Sequence, residues 1–256
     1  MNRTLAFADR NRKEILRDPL SYIFCLAFPL VMLAVMTLVN TSIPKESGMT
    51  VFRIDNLCVG IAVFGQTFVM LFTGLTVSKD RSGSFLIRMY ATPMEPADFT
   101  MGYMLPMLVI ALAQNVLIYL ASLLTSLITG ITLNPLGLIL SLITLIPSAV
   151  MFICIGLLFG TLFSEKAAPG LCSIIISLSS FVGGVWFDAE KTGGVMLTIC
   201  KCLPFYYCTA SGRAAVHLEL GVNEWLIPLA IVILAAAALA VISSLSFRSK
   251  MKADLS

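Results

Sequence analysis

Charge is scarce in this sequence. Asp, Glu, Lys and Arg make up 12% of its 256 residues and hydrophobic residues 58%, where a soluble chain carries roughly 25% charged residues. So few charges cannot coat a water-facing surface, and the mean hydropathy is +0.95. These values exclude disordered and nucleic-acid-binding classes, and the net charge of +3 is informative only in its distribution. Histidine occurs once, as His217, so no H-E-x-x-H zinc site can be written, and His217 reads as an ordinary loop residue. Neither G-x-S-x-G nor the Walker A pattern G-x-x-x-x-G-K-[ST] occurs, so the chain is not expected to be an enzyme or to hydrolyse ATP itself. Seven cysteines, an odd number, do not suggest a disulfide framework. Cys25, Cys58, Cys154 and Cys172 fall in or at the ends of apolar runs, whereas Cys200, Cys202 and Cys208 cluster without an obvious role.

Long stretches without any charge dominate instead: 19–44, 56–78, 99–164, 167–187 and 225–247. A helix needs about 20 apolar residues to cross a bilayer core. The run from Phe99 is about three times that length and breaks at Thr129-Gly130-Ile131-Thr132-Leu133-Asn134-Pro135, because Gly and Asn-Pro interrupt helices. The sequence therefore predicts an all-α integral membrane protein with six transmembrane helices at about 20–42, 57–78, 99–128, 136–163, 167–187 and 225–247, one domain over residues 19–256. With six spans both termini share a side. Placing them in the cytoplasm puts Arg3, Arg10, Arg12, Lys13, Arg17, Lys79, Arg81, Arg88, Lys166, Arg248, Lys250 and Lys252 inside, against Lys45, Arg53, Lys191, Lys201 and Arg213 outside, as the positive-inside rule requires. Trp225 suits an interfacial anchor. The leader is too long and too mixed in charge for a cleaved signal peptide.

Residues 1–18 read as an interfacial amphipathic helix. At 100° per residue Arg3, Arg10, Lys13, Glu14 and Arg17 share one face, and Leu5, Ala8, Ile15 and Leu16 the other, which suits headgroups and acyl chains respectively. A plain basic leader that fixes topology is the alternative. Asp18-Pro19 ends the segment. The cytoplasmic segment 79–98 holds a short helix in which Phe85, Leu86, Met89 and Tyr90 project to one side and Arg88 to the other, ending before Pro93 and Pro96. Apolar side chains so placed need a cover, either lipid or a docking partner. The extracellular segment 188–224, preceded by Gly183-Gly184, is glycine-broken and apolar, as expected of short pieces dipping back into the membrane under a protein cover.

No carboxylate falls inside a predicted span, which weighs against proton- or ion-coupled carriage. The spans do hold Gln66, Thr67, Thr73, Gln114 and Asn115, and a stripe of Ser173, Ser177 and Ser180 at i, i+4 and i+7. Helix–helix glue and the lining of a substrate cavity both account for them. Alternatives that remain open are an ATP-independent channel or a scaffold.

Leu16-Arg17-Asp18-Pro19 with Phe28-Pro29, Val77-Ser78-Lys79-Asp80-Arg81-Ser82-Gly83-Ser84-Phe85, Ala91-Thr92-Pro93 with Gly102, and Phe181-Val182-Gly183-Gly184-Val185-Trp186-Phe187 with Pro204 together resemble ABC-2-type transporter permeases, in order and over nearly the whole chain. The resemblance implies the membrane subunit of an ATP-binding-cassette exporter in a bacterial cell membrane. It implies pairing with a second permease copy or a homologous permease, and alternating access driven by a separate ATP-binding subunit. That partner holds ATP and Mg, and this chain binds no cofactor. It implies a coupling helix carrying Arg81, Gly83, Phe85, Leu86, Met89, Tyr90 and Pro93, beside an interfacial helix carrying Arg10, Lys13 and Arg17. Gln66, Thr67, Met70, Thr73, Ser173, Ser177, Ser180 and Phe181 would line the translocation path, and Phe187 and Pro204 the extracellular gate. An uncharged lining suits an amphipathic or hydrophobic cargo, such as a drug-like compound or a lipid. Where relatives often carry Glu in the coupling segment this chain has Ser82, which removes a salt bridge expected there.

Overall fold

A computed structural model describes residues 3–44, 48–83, 85–90 and 94–255, with the side chains of Ile87, Tyr90, Glu190 and 251–255 outside the description. The described residues are helical and contain no strand. Helix α1 (Arg3–Ile15) precedes α2 (Pro19–Ser42), α3 (Ile54–Ser82), α4 (Phe85–Tyr90), α5 (Pro96–Thr129) and α6 (Pro135–Leu162). They are followed by α7 (Ala168–Val182), α8 (Ala189–Thr192), α9 (Gly194–Cys202), α10 (Pro204–His217) and α11 (Val222–Lys250), whose helix continues to Leu255. Five of these, α2, α3, α5, α6 and α11, are long and apolar enough to cross a membrane. Helix α7 is apolar but has 15 residues, about 22 Å at 1.5 Å per residue, short of a bilayer core.

Local chemistry sets the boundaries. The Asp18 carboxylate accepts from Leu20 N and Ser21 Oγ, with Pro19 at the first helical position of α2, where its missing N–H is harmless. Glu95 and Asp98 form a reciprocal capping box at the start of α5, and Gly130 ends that helix at φ +73°, the left-handed conformation glycine adopts without strain. Asn134 caps α6. Two helices contain a widened π turn, Ile23–Ala27 in α2 and Val222–Leu226 in α11. Each lies just ahead of a proline, Pro29 or Pro228. A proline ring clashes with the carbonyl four residues earlier, and both of those carbonyls, on Cys25 and Glu224, fall within the widened turn.

Helix α3 is the hub, with 94% of its most apolar window buried. Glycines bring α6 against it. A Cβ on Gly156 would collide with the Met70 carbonyl, and one on Gly160 with Gly74, so the two backbones touch, as small residues allow in membrane helices. The segment after α7 folds back rather than hanging free. Phe205, Tyr206, Cys208, Thr209 and Ser211 of α10 are buried, and Gly212 lies against Val59 while Gly137 lies against the Val216 carbonyl. Trp225 Nε1 donates to Thr144 Oγ1 at 3.1 Å, so its ring is tied to α6. Val31 and Leu38 on α2, Leu124 and Leu127 on α5, and Leu234 and Val241 on α11 are exposed, forming a greasy exterior far beyond what a soluble monomer presents.

Candidate functional site

The densest polar cluster joins α1 to the charged end of α3. Arg10 reaches Asp80 with two bonds, Nη1 to Oδ2 at 2.5 Å and Nη2 to Oδ1 at 2.9 Å. Tyr103 on α5 donates its hydroxyl to the same carboxylate at 2.7 Å. Glu14 pairs with Arg10 at 2.7 Å and with Lys79 at 3.6 Å. The Arg10 guanidinium also stands 4.1 Å from the centroid of the Phe85 ring on α4, within cation–π range. Asp80 is 5% exposed at its side chain and Arg10 34%. Burial pulls the Arg10 pKa down, but the hydrogen bond and charge of Asp80, with Glu14 and Tyr103, outweigh it and the pKa is raised.

Apolar contacts run alongside. Phe7 of α1 packs on Phe85, Phe99 and Tyr103 with ring centroids 6.4, 5.4 and 5.0 Å apart, and Phe99 stacks on Phe247 of α11 at 5.6 Å. The Phe7 ring occupies the space left by Gly102, where a Cβ would strike it. Asn11, fully buried, donates to the Gly102 carbonyl at 3.0 Å. Four elements, α1, α3, α4 and α5, are thereby clamped at one end of the helical body.

The placement differs from the sequence expectation in orientation. Ala8 and Ile15 turn into the protein together with Phe7, whereas Leu5 and Leu16 remain exposed. Arg10 points at Asp80 rather than outward, while Lys13, paired with Asp9 at 2.7 Å, and Arg17 stay exposed. On α4 the apolar side expected to face a partner covers the chain itself. Leu86 is fully buried, Phe85 and Met89 are partly buried against the same cluster, and Arg88 is exposed. Burial of an apolar side chain removes about 1.5–3 kcal/mol of exposure cost, and this chain supplies the cover. Arg81 donates to the Thr161 carbonyl at 2.6 Å, and Ser82 donates to Glu165 Oε2 at 2.7 Å. Ser82 thus meets a carboxylate after all, as a hydroxyl donor. Gly83 closes α3, its N–H reaching the Lys79 carbonyl. Pro93 and the Tyr90 side chain lie outside the described residues.

The residues expected along a path are not brought together within one chain. Gln66 donates to the Leu145 carbonyl at 3.3 Å and accepts from Ser148, which ties α3 to α6. Thr67 and Thr73 bond the carbonyls of Phe64 and Val69 within their own helix, and Met70 is fully buried. Ser180 is buried against the Ile176 carbonyl, whereas Ser173, Ser177 and Phe181 are exposed on α7. At the opposite end, Phe187 packs against the small cluster of Val182, Ala189, Cys200 and Tyr206, and Pro204 begins α10. Arg213 on α10 donates to the carbonyls of Asn56 and Gly184 at 3.3 and 2.9 Å, bridging α3 to the turn after α7. Cys200 and Cys208 are buried and Cys202 is exposed.

Sequence reasoning missed Asp80, Tyr103, Glu14 and Phe7 as members of the clamp. Their only signal was a carboxylate at the end of an apolar run and aromatics at helical spacing. Beyond the structure, residues 2–217 match the family described as ABC-2 type transporter. The chain is also 24% identical over 196 residues to the Bacillus subtilis (strain 168) protein named "Putative transport permease YvfS", covering 76% of this chain and 78% of that one. With most of its length matched, this multi-pass membrane chain belongs to the ABC-2 type transporter family of transport permeases.

Proposed function

We propose that the chain is the membrane-spanning half of an ATP-driven exporter in a bacterial cell membrane, paired with a second permease and served by a separate ATP-binding subunit. In this reading α7, with the pieces behind it, is the sixth crossing, and both termini face the cytoplasm with α1 in the headgroup layer. The observation that carries the reading is the clamp of Arg10, Asp80, Tyr103 and Phe85. Nucleotide-driven motion pressing on α4 would pass through Leu86 and Phe85 into Phe7 and Asp80, and so into α3, the central helix. A rigid joint is what a transmitted push requires, since a soft one would absorb it. The partner supplies ATP and Mg. The cargo would be amphipathic or hydrophobic, moved by alternating access along the exposed face of α7, where Ser173, Ser177 and Phe181 stand ready to line a path shared with a second subunit. Phe187 and Pro204 would border its extracellular end.

The test is copurification. The full chain should bring down a soluble protein carrying a Walker A sequence. Arg88→Glu, an exposed reversal with no packing role, is expected to weaken that association about tenfold. Leu86→Ala should leave the association and disconnect ATP hydrolysis from transport. Vesicles containing the chain alone that move solute uphill, or an Arg88→Glu chain that holds the ATPase as tightly as the parent, would overturn the reading.

A further inference from the structure

A groove of about 970 Å³ lies beside the clamp, between α1, the start of α2 and the charged end of α3. That is the upper end of small-molecule sites, roughly 300–1,000 Å³. Its α3 wall consists of Phe72, Leu75, Thr76 and Lys79. These positions fall on one helical face, so the lining passes from apolar to ammonium over seven residues, about 10 Å at 1.5 Å per residue. The other wall repeats the step. Leu20 supplies an apolar side chain there, beside Lys13 and Arg17. The groove is graded as a membrane leaflet is graded, which a soluble metabolite would not need.

The rim is also balanced in sign, with four basic side chains and four carboxylates. Three of the carboxylates are engaged by the protein: Asp9 by Arg12 and Lys13, Glu14 by Arg10 and Lys79, and Asp18 by Leu20 N and Ser21. Glu165 is exposed and accepts from the neutral Ser82 hydroxyl, so its charge has no cation on it from that bond. Arg17 is likewise exposed, and among the described residues its guanidinium pairs with none. One cation and one anion thus remain available on the rim above an apolar floor. We infer that this groove binds one zwitterionic phospholipid from the adjoining leaflet. Its phosphate sits on Arg17, its amine faces Glu165, and an acyl chain lies along Leu75 and Phe72. A purely anionic lipid finds the same cation but leaves Glu165 unpaired, and the neutral rim gives it no long-range attraction.

The full-length chain, purified in detergent with equimolar phosphatidylethanolamine and phosphatidylglycerol, tests this by native mass spectrometry. One phosphatidylethanolamine should be retained in about fivefold preference, the scale of one exposed charge pair. Glu165→Gln, at an exposed position, should bring the ratio to about one without lowering the total lipid retained. Thr76→Trp, whose indole fills the groove, should cut retention about tenfold or more. Equal retention of the two lipids by the parent chain, or an unchanged ratio in Glu165→Gln, would overturn the assignment. So would displacement of the lipid by soluble phosphoethanolamine, which would show a site for the headgroup alone.

Discussion

Replacing Arg10 with alanine strips a 5%-exposed carboxylate of both its guanidinium bonds and leaves Asp80 with the Tyr103 hydroxyl. Removing one partner of a fully buried ion pair costs about 3–5 kcal/mol. Arg10 keeps about a third of its side chain in water, so part of the pair's energy is screened, and about 2–3 kcal/mol is the better figure. Phe7 and Asn11 still hold α1, so the loss appears as local opening rather than global unfolding. At 1.4 kcal/mol per tenfold, the opening equilibrium of α1 rises about 30- to 140-fold. Hydrogen exchange of the amides of 3–15, measured in detergent micelles, reads this directly, with the amides at the α3–α6 contact as the unaffected internal standard. Asp80→Ala completes a double-mutant cycle, and the two costs should fall short of additivity by about 1.5 kcal/mol or more. Exchange in Arg10→Ala within about threefold of the parent, or costs that simply add, would refute the clamp as the element holding α1.

Two further perturbations probe the framework. Gly156→Ala drives a methyl group into the Met70 carbonyl, a backbone atom that cannot rotate away, and overpacking of this kind costs about 1–3 kcal/mol. Its melting temperature should fall by about 3–8 °C, and an unchanged melt would contradict the direct contact of α3 with α6. Ser82→Glu replaces a donor to Glu165 by a second carboxylate. Exchange at residues 162–167 should quicken, because a hydrogen-bond donor is replaced by a like charge. Added salt should shrink the effect by screening the repulsion, and a salt-independent effect would point to lost packing instead.

Five of the six expected spans were legible because membranes impose one chemical demand over some twenty residues, and charge-free runs record it. The break after α7 was legible for a related reason, since Gly183-Gly184 cannot continue a helix cheaply, and the structure has Gly184 at φ +64°. Orientation about each helix axis was less legible. Periodicity places Phe85, Leu86 and Met89 on one side but is silent on whether lipid, a partner or Phe7 covers that side. Likewise Gln66 reads equally well as glue or lining until Leu145 and Ser148 are found beside it. The clamp was invisible for a different reason. Asp80 lies 70 positions from Arg10 in the chain, and nothing in either local sequence encodes the other.

The widened turns in α2 and α11 have a mechanical corollary. An extra residue squeezed into one loop of the spiral loosens its regular ladder of backbone bonds, and the proline beyond it withholds a further donor. Each of these two lipid-facing rods therefore carries a universal joint, about which the outer portion can swivel without unwinding. Helix α3 at the centre runs unbroken from Ile54 to Ser82 and must tilt as a whole, whereas its glycine-seated partner α6 is interrupted at Leu145, just ahead of Pro147. Flexing at the periphery around a stiff axle is thus built into where Pro29 and Pro228 fall.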